Sequence, residues 1–167
     1  MLLAYVAIIA LGSITAFRER RERKRLLRVL LVDDSTILRE RVASMITELA
    51  PDVEVIGHAW GRAEVPAAVQ ALRPDVVVLD HHVPDGNGMD VVRDIKRNIP
   101  APVVIVFTNH CYPQYRQRCL ESGAEFFFDK SNEFGKLSET IEHLNRDGHV
   151  RGPRSAAGNG DMAEDQP

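Results

Sequence analysis

The chain has 167 residues, 44% of them hydrophobic and 27% charged, enough for one well-buried core and short for two. Its net charge of -3 sums unlike parts: residues 18–28 (RERRERKRLLR) hold seven basic and two acidic side chains, a local +5, so residues 29–167 carry -8. That balance argues against nucleic acid as a ligand of the main domain, because phosphate binding needs a clustered basic surface.

In chain order, residues 1–17 come first, with 14 apolar residues and no charge. Seventeen residues sit at the lower limit of the roughly 17–25 that span a bilayer. The basic residues behind them would keep whatever follows in the cytoplasm, tethered to the inner membrane. Two readings stand side by side: a membrane anchor, or translation that starts downstream so that residues 1–25 are not in the natural product. Membrane contact is expected only if residues 1–17 are real and span. Residues 18–27 read as a basic linker and 28–146 as the folded domain. Residues 147–167 read as a disordered tail, since a Gly/Pro/Ala-rich polar stretch buries too little apolar surface to offset its ordering entropy.

Within the domain, short β-branched runs alternate with amphipathic stretches. The runs are Val29–Asp33 (VLLVD), Val53–Ala59 (VEVIGHA), Asp75–Asp80 (DVVVLD), Val103–Thr108 (VVIVFT) and Glu125–Asp129 (EFFFD). Near-continuous apolarity is what strands buried on both faces of a parallel sheet require. Ser35 is a candidate N-cap for a first helix whose Ile37, Leu38, Val42, Met45, Ile46 and Leu49 are expected on one face, with Pro51 as its stop. Further helices are expected over 64–72, 88–98 and 113–122, the last opening on Pro113. The fifth is expected to bury Phe134, Leu137, Ile141 and Leu144. Five strand-plus-helix units with short connections imply right-handed crossovers and a doubly wound α/β fold, a five-stranded parallel sheet covered on both faces.

Ligands of such sheets sit outside the carboxyl ends of the strands. Strand one ends in Asp33-Asp34, strand three in Asp80 and strand four in Thr108, and Lys130 follows strand five. Three carboxylates brought together repel unless a divalent cation binds, and oxygen ligands select a hard ion, Mg²⁺ or Mn²⁺. A cation, an ammonium group and a hydroxyl can together hold phosphoryl oxygens, leaving one carboxylate free as a nucleophile.

From about Leu27 to Leu144 the chain resembles the receiver domain of two-component response regulators, of the chemotaxis-regulator type. The resemblance rests on Val32-Asp33-Asp34-Ser35, on Asp80 with Pro84 and Gly88 in DHHVPDGNG, on Thr108, and on GAEFFFDK ending in Lys130. It implies a flavodoxin-like (βα)5 fold with strand order 2-1-3-4-5. It implies that Asp80 accepts a phosphoryl group from the phosphohistidine of a sensor histidine kinase or a histidine phosphotransfer protein. Asp34, Asp80 and the backbone carbonyl of His82 would bind Mg²⁺, with Asp33 acting mainly through water. Lys130 and Thr108 would meet the phosphoryl group, and Phe127 falls at the aromatic switch position. The downstream protein would meet the face formed by residues 113–145.

The chain departs from the family pattern at Asn109, where a small residue is usual, and at Ser131, where proline is frequent. His82 and His110, two residues after Asp80 and Thr108, occupy positions that in this family tune the lifetime of the phosphorylated state, as does the neighbouring Asn109. No helix-turn-helix or catalytic domain follows residue 150, so the expectation is a stand-alone receiver that is not an enzyme. Two other readings remain. An aspartyl-phosphate phosphohydrolase would place a second Asp where His82 stands; a phosphorylation-independent interaction module would keep the fold alone. Cys111 and Cys119, eight residues apart in what reads as one helix, would be about 12 Å apart, beyond the roughly 7 Å reach of a disulfide, and are expected reduced in a cytoplasmic setting.

Overall fold

In the computed structural model, residues 26–147 are described. The expectations for residues 1–17, for most of the basic linker and for the tail lie outside them. Five strands, β1 (Leu27–Val32), β2 (Val53–Ala59), β3 (Val76–Leu79), β4 (Val103–Thr108) and β5 (Phe126–Asp129), alternate with α1 (Thr36–Leu49), α2 (Val65–Leu72), α3 (Gly88–Lys96), α4 (Pro113–Glu121) and α5 (Phe134–Arg146). All strand pairings are parallel, in the order β2-β1-β3-β4-β5. This is the doubly wound, flavodoxin-like arrangement. Among the described residues no helix is long and apolar enough to cross a membrane.

The burial follows from the sequence. Every residue of β3 (VVVL) and β4 (VVIVFT) is buried, as inner strands covered on both faces demand. Edge strand β2 is mixed, with Glu54 and His58 exposed. One core, under α1 and α5, gathers Leu31, Val42, Ile46, Val78, Phe107, Leu137 and Ile141. The other, under α2, α3 and α4, gathers Leu30, Val69, Val91, Ile95, Val106, Cys119 and Phe127. Consecutive residues of a strand point to opposite faces, so Phe127 enters the second core while Phe126 and Phe128 pack with the first, their rings 6.1 Å apart.

Helix starts are set locally. Ser35 Oγ accepts from the Leu38 N–H at 3.3 Å, Asn87 Oδ1 accepts from the Asp90 N–H at 3.0 Å, and Pro113 opens α4. Two expectations need correction. Ile37 does not share the buried face of α1 and is 79% exposed, whereas Val42 and Ile46 are buried and Arg39 is 5% exposed. At about 100° per residue positions 39, 42 and 46 cluster, and position 37 falls on the far side. Cys111 lies ahead of α4 rather than within it; both cysteines are free, Cys119 deep in the core.

Candidate functional site

The chain runs from β1 outward to β2 and then back across to β3, so the strand order reverses between β1 and β3. Loops leaving their carboxyl ends diverge and open a crevice there. Asp33 and Asp34 leave β1 on one side of it and Asp80 leaves β3 on the other. Carboxylate oxygens of the three lie within 4.8 Å of one another.

Lys130, delivered by the β5–α5 loop, reaches into this group. Its Nζ donates to Asp33 Oδ2 at 2.6 Å and to Asp80 Oδ2 at 2.5 Å, and the three side chains are only 5%, 10% and 12% exposed. The other oxygens of the two carboxylates are held by main chain: Asp33 Oδ1 accepts from the Ser35 N–H at 2.8 Å and Asp80 Oδ1 from the His82 N–H at 3.0 Å. Asp34 is exposed. One ammonium faces three carboxylates, and the donor set is all oxygen, which fits a hard divalent cation such as Mg²⁺.

The loop that presents Lys130 is itself braced. Lys130 N–H donates to the Thr108 carbonyl at 3.0 Å, Asp129 N–H to Glu133 Oε2 at 2.9 Å, and Ser131 N–H to Asp129 Oδ1 at 2.8 Å. The Ser131 N–H, and then the Asn132 amide, hold the Asp129 carboxyl below its ordinary value of 3.8; the Lys136 ammonium, and then the Asp129 N–H, do the same for Glu133. Asn109 joins this brace, its Oδ1 accepting from Ser131 Oγ at 3.3 Å.

Thr108 is fully buried, and its Oγ1 accepts from the His110 N–H at 3.3 Å. Phe127 is 1% exposed, with the Arg116 guanidinium 5.5 Å over its ring. The His82 and His110 rings stack at 5.6 Å. His81 turns away to pack on Tyr115 at 4.8 Å, and burial pushes its imidazole below the ordinary 6.5. Two residues the sequence reading did not single out also belong here. Arg39 Nη1 donates to the main-chain oxygen of Asp33, its Nη2 donates to Thr36 Oγ1 at 3.0 Å, and its guanidinium lies 4.4 Å over the Trp60 ring. The signal that could have found Arg39 is its helical angle, shared with Val42 and Ile46.

This fold, with an acidic pocket at the switch point and a lysine beyond the last strand, matches known proteins. A family model described as the response regulator receiver domain matches residues 29–142, and the chain belongs to that family. The chain is 36% identical over 121 residues to the protein-glutamate methylesterase/protein-glutamine glutaminase of Alkalilimnicola ehrlichii, an alignment covering 71% of this chain and 30% of that protein. It is 29% identical over 132 residues to the DNA-binding transcriptional activator DevR/DosR of Mycobacterium tuberculosis, covering 79% of this chain and 60% of that one. The chain thus spans about a third of the methylesterases it matches. Among solved structures, the response regulator domain of Thermotoga maritima CheB is 26% identical with a TM-score of 0.66, covering 77% of this chain and 100% of that one.

Proposed function

We propose that this receiver domain is a phosphoacceptor: Asp80 takes a phosphoryl group from a phosphohistidine on a sensor histidine kinase or a histidine phosphotransfer protein. The observation that carries the reading is the contact of Lys130 with both Asp80 and Asp33, which holds a cation beside a carboxylate whose second oxygen is fixed by the His82 N–H. In the transfer a carboxylate oxygen of Asp80 bonds to phosphorus as the phosphorus–nitrogen bond breaks, and the electron pair leaves with the imidazole. Lys130 offsets charge on the incoming oxygens as it loosens from Asp80. Thr108 Oγ1 can turn its hydroxyl proton toward a phosphoryl oxygen, and Phe127, on the adjacent strand, would follow that movement.

Asp34, Asp80 and the main-chain oxygen of His82 would hold Mg²⁺, or Mn²⁺ in its place, with Asp33 acting mainly through water. When bound, the cation supplies positive charge that relieves repulsion among the carboxylates and neutralises the transferring group. His82, His110 and Asn109 flank the mouth and set how readily donor and water enter, hence the lifetime of the acyl phosphate. Output proceeds by protein contacts through the 113–145 face, without catalytic turnover by this domain. The proposed setting is the cytoplasm, where phosphohistidine donors act.

The test is labelling by acetyl phosphate or a partner kinase, with and without Mg²⁺. One equivalent of label that needs Mg²⁺ and disappears in Asp80→Asn is expected; label that survives that change overturns the assignment. Steady turnover of a phosphomonoester would establish a phosphohydrolase instead.

A further inference from the structure

Arg39 is a charged side chain, 5% exposed, on the face of α1 that packs against the sheet. Burying a guanidinium is costly unless its donors are satisfied. Its hydrogen bonds go to a main-chain carbonyl and a hydroxyl rather than to a carboxylate. An apolar residue would serve simple helix-to-sheet packing better, so the placement of a cation here calls for another reason.

The carbonyl it grips is that of Asp33, which belongs to the peptide joining Asp33 to Asp34. A peptide is planar, so restraining that oxygen restrains the whole unit, including the N–Cα bond that carries the Asp34 side chain. Asp33 and Asp80 have other restraints in Lys130 and in the Ser35 and His82 N–H groups. Asp34 is exposed, and its backbone is the handle by which it can be aimed. Arg39 also lines, with Asp33 and Asp80, one small cavity at the base of the site. Its charge therefore sits close to the carboxylates without occupying their oxygens.

Trp60, immediately after β2, completes the arrangement. The residue is 55% exposed, its ring centroid lies 4.4 Å from the Arg39 guanidinium carbon, and its backbone N–H donates to Glu64 Oε2 at 3.0 Å. Stacking on one face and donating along the edge is a combination that arginine permits and lysine does not.

We propose that Arg39, held by the Trp60 ring, is a positioning residue that aims the Asp33-Asp34 peptide so that the acidic pocket binds a divalent cation. The inference rests on the reading of Asp33, Asp34 and Asp80 as the cation site. The experiment is titration of the full chain with Mg²⁺ by calorimetry and with Mn²⁺ by electron paramagnetic resonance, with thermal midpoints measured in parallel. Arg39→Gln and Arg39→Lys are both expected to weaken cation affinity about tenfold, the scale at which residues supporting metal ligands act. Trp60→Ala, a change at an exposed position, is expected to weaken it about threefold, with Trp60→Phe close to wild type. Wild-type affinity in the Arg39 variants, with only the midpoint lowered, overturns the proposal, as does full affinity in Arg39→Lys alone. Should Arg39→Gln fail to fold, unchanged affinity in Trp60→Ala overturns it independently. A wild-type chain that binds neither ion would instead sink the cation site itself.

Discussion

Lys130 and Asp80, fifty residues apart in sequence, meet through a 2.5 Å contact between Nζ and Oδ2, with side chains 5% and 12% exposed. Removing one member of a buried pair leaves the other charge uncompensated. Lys130→Met is therefore expected to destabilise the cation-free domain by about 3 kcal/mol, and by less in millimolar Mg²⁺. Urea denaturation with and without the ion measures both; equal losses under the two conditions would contradict a shared acidic site.

Asp34 has the opposite balance. It adds a third carboxylate within 4.8 Å of two others, and like charges at close range destabilise the folded chain. Asp34→Asn should raise the stability of the cation-free protein by about 0.5 kcal/mol while weakening Mg²⁺ binding, a trade of stability for function. Paired urea and calorimetric titrations would read the two effects; a loss of stability would show that Asp34 has a structural partner.

Gly88 stands at the start of α3 against the residue that follows Asp80. A Cβ there would lie 2.8 Å from His81 Cα and 2.7 Å from His81 Nδ1, while the Gly88 N–H donates to the His81 carbonyl at 3.0 Å. Gly88→Ala must push the two segments apart and is expected to cost about 2 kcal/mol, the scale of an overpacked core. A shift in urea midpoint of the size expected from an exposed helix position would contradict this contact.

Acid should loosen the Lys130 loop through two carboxylates. The Asp129 carboxyl is lowered from 3.8 by the Ser131 N–H, and Glu133 from 4.5 by Lys136. A folded value below the unfolded one contributes stability that is present above the unfolded value and lost as pH falls through the folded one. The brace is thus complete at neutral pH and opens as pH falls through folded values that lie below the ordinary 3.8 and 4.5. Protection factors of the Ser131 and Asp129 amides, corrected for the intrinsic exchange rate at each pH, should fall over that range; unchanged protection would contradict the brace.

How much of this was legible beforehand depends on where each signal resides. Inner strands β3 and β4 are apolar from end to end, so their existence and burial could be read from composition alone. The acidic pocket was readable because Asp33 and Asp80 directly follow apolar runs, with Asp34 next after Asp33. Arg39 was not, because a charged residue within an amphipathic helix is ordinarily solvent-facing and only its angle relative to Val42 and Ile46 says otherwise. Ile37 misled for the same reason in reverse. Thr108 lies at its expected strand end, yet its hydroxyl accepts from the His110 N–H, a local turn bond that no residue pattern announces. The spacing of Cys111 and Cys119 suggested one helix, but Pro113 starts α4 after the first of them.

Trp60 is the only tryptophan in the chain. Its indole touches a guanidinium that is hydrogen-bonded in turn to the Asp33 main-chain oxygen, so all tryptophan emission, selected by excitation near the red edge, originates one side chain away from the acidic pocket. The domain carries its own optical reporter, and events at that pocket can be timed in a stopped-flow instrument on the unlabelled, unmutated chain.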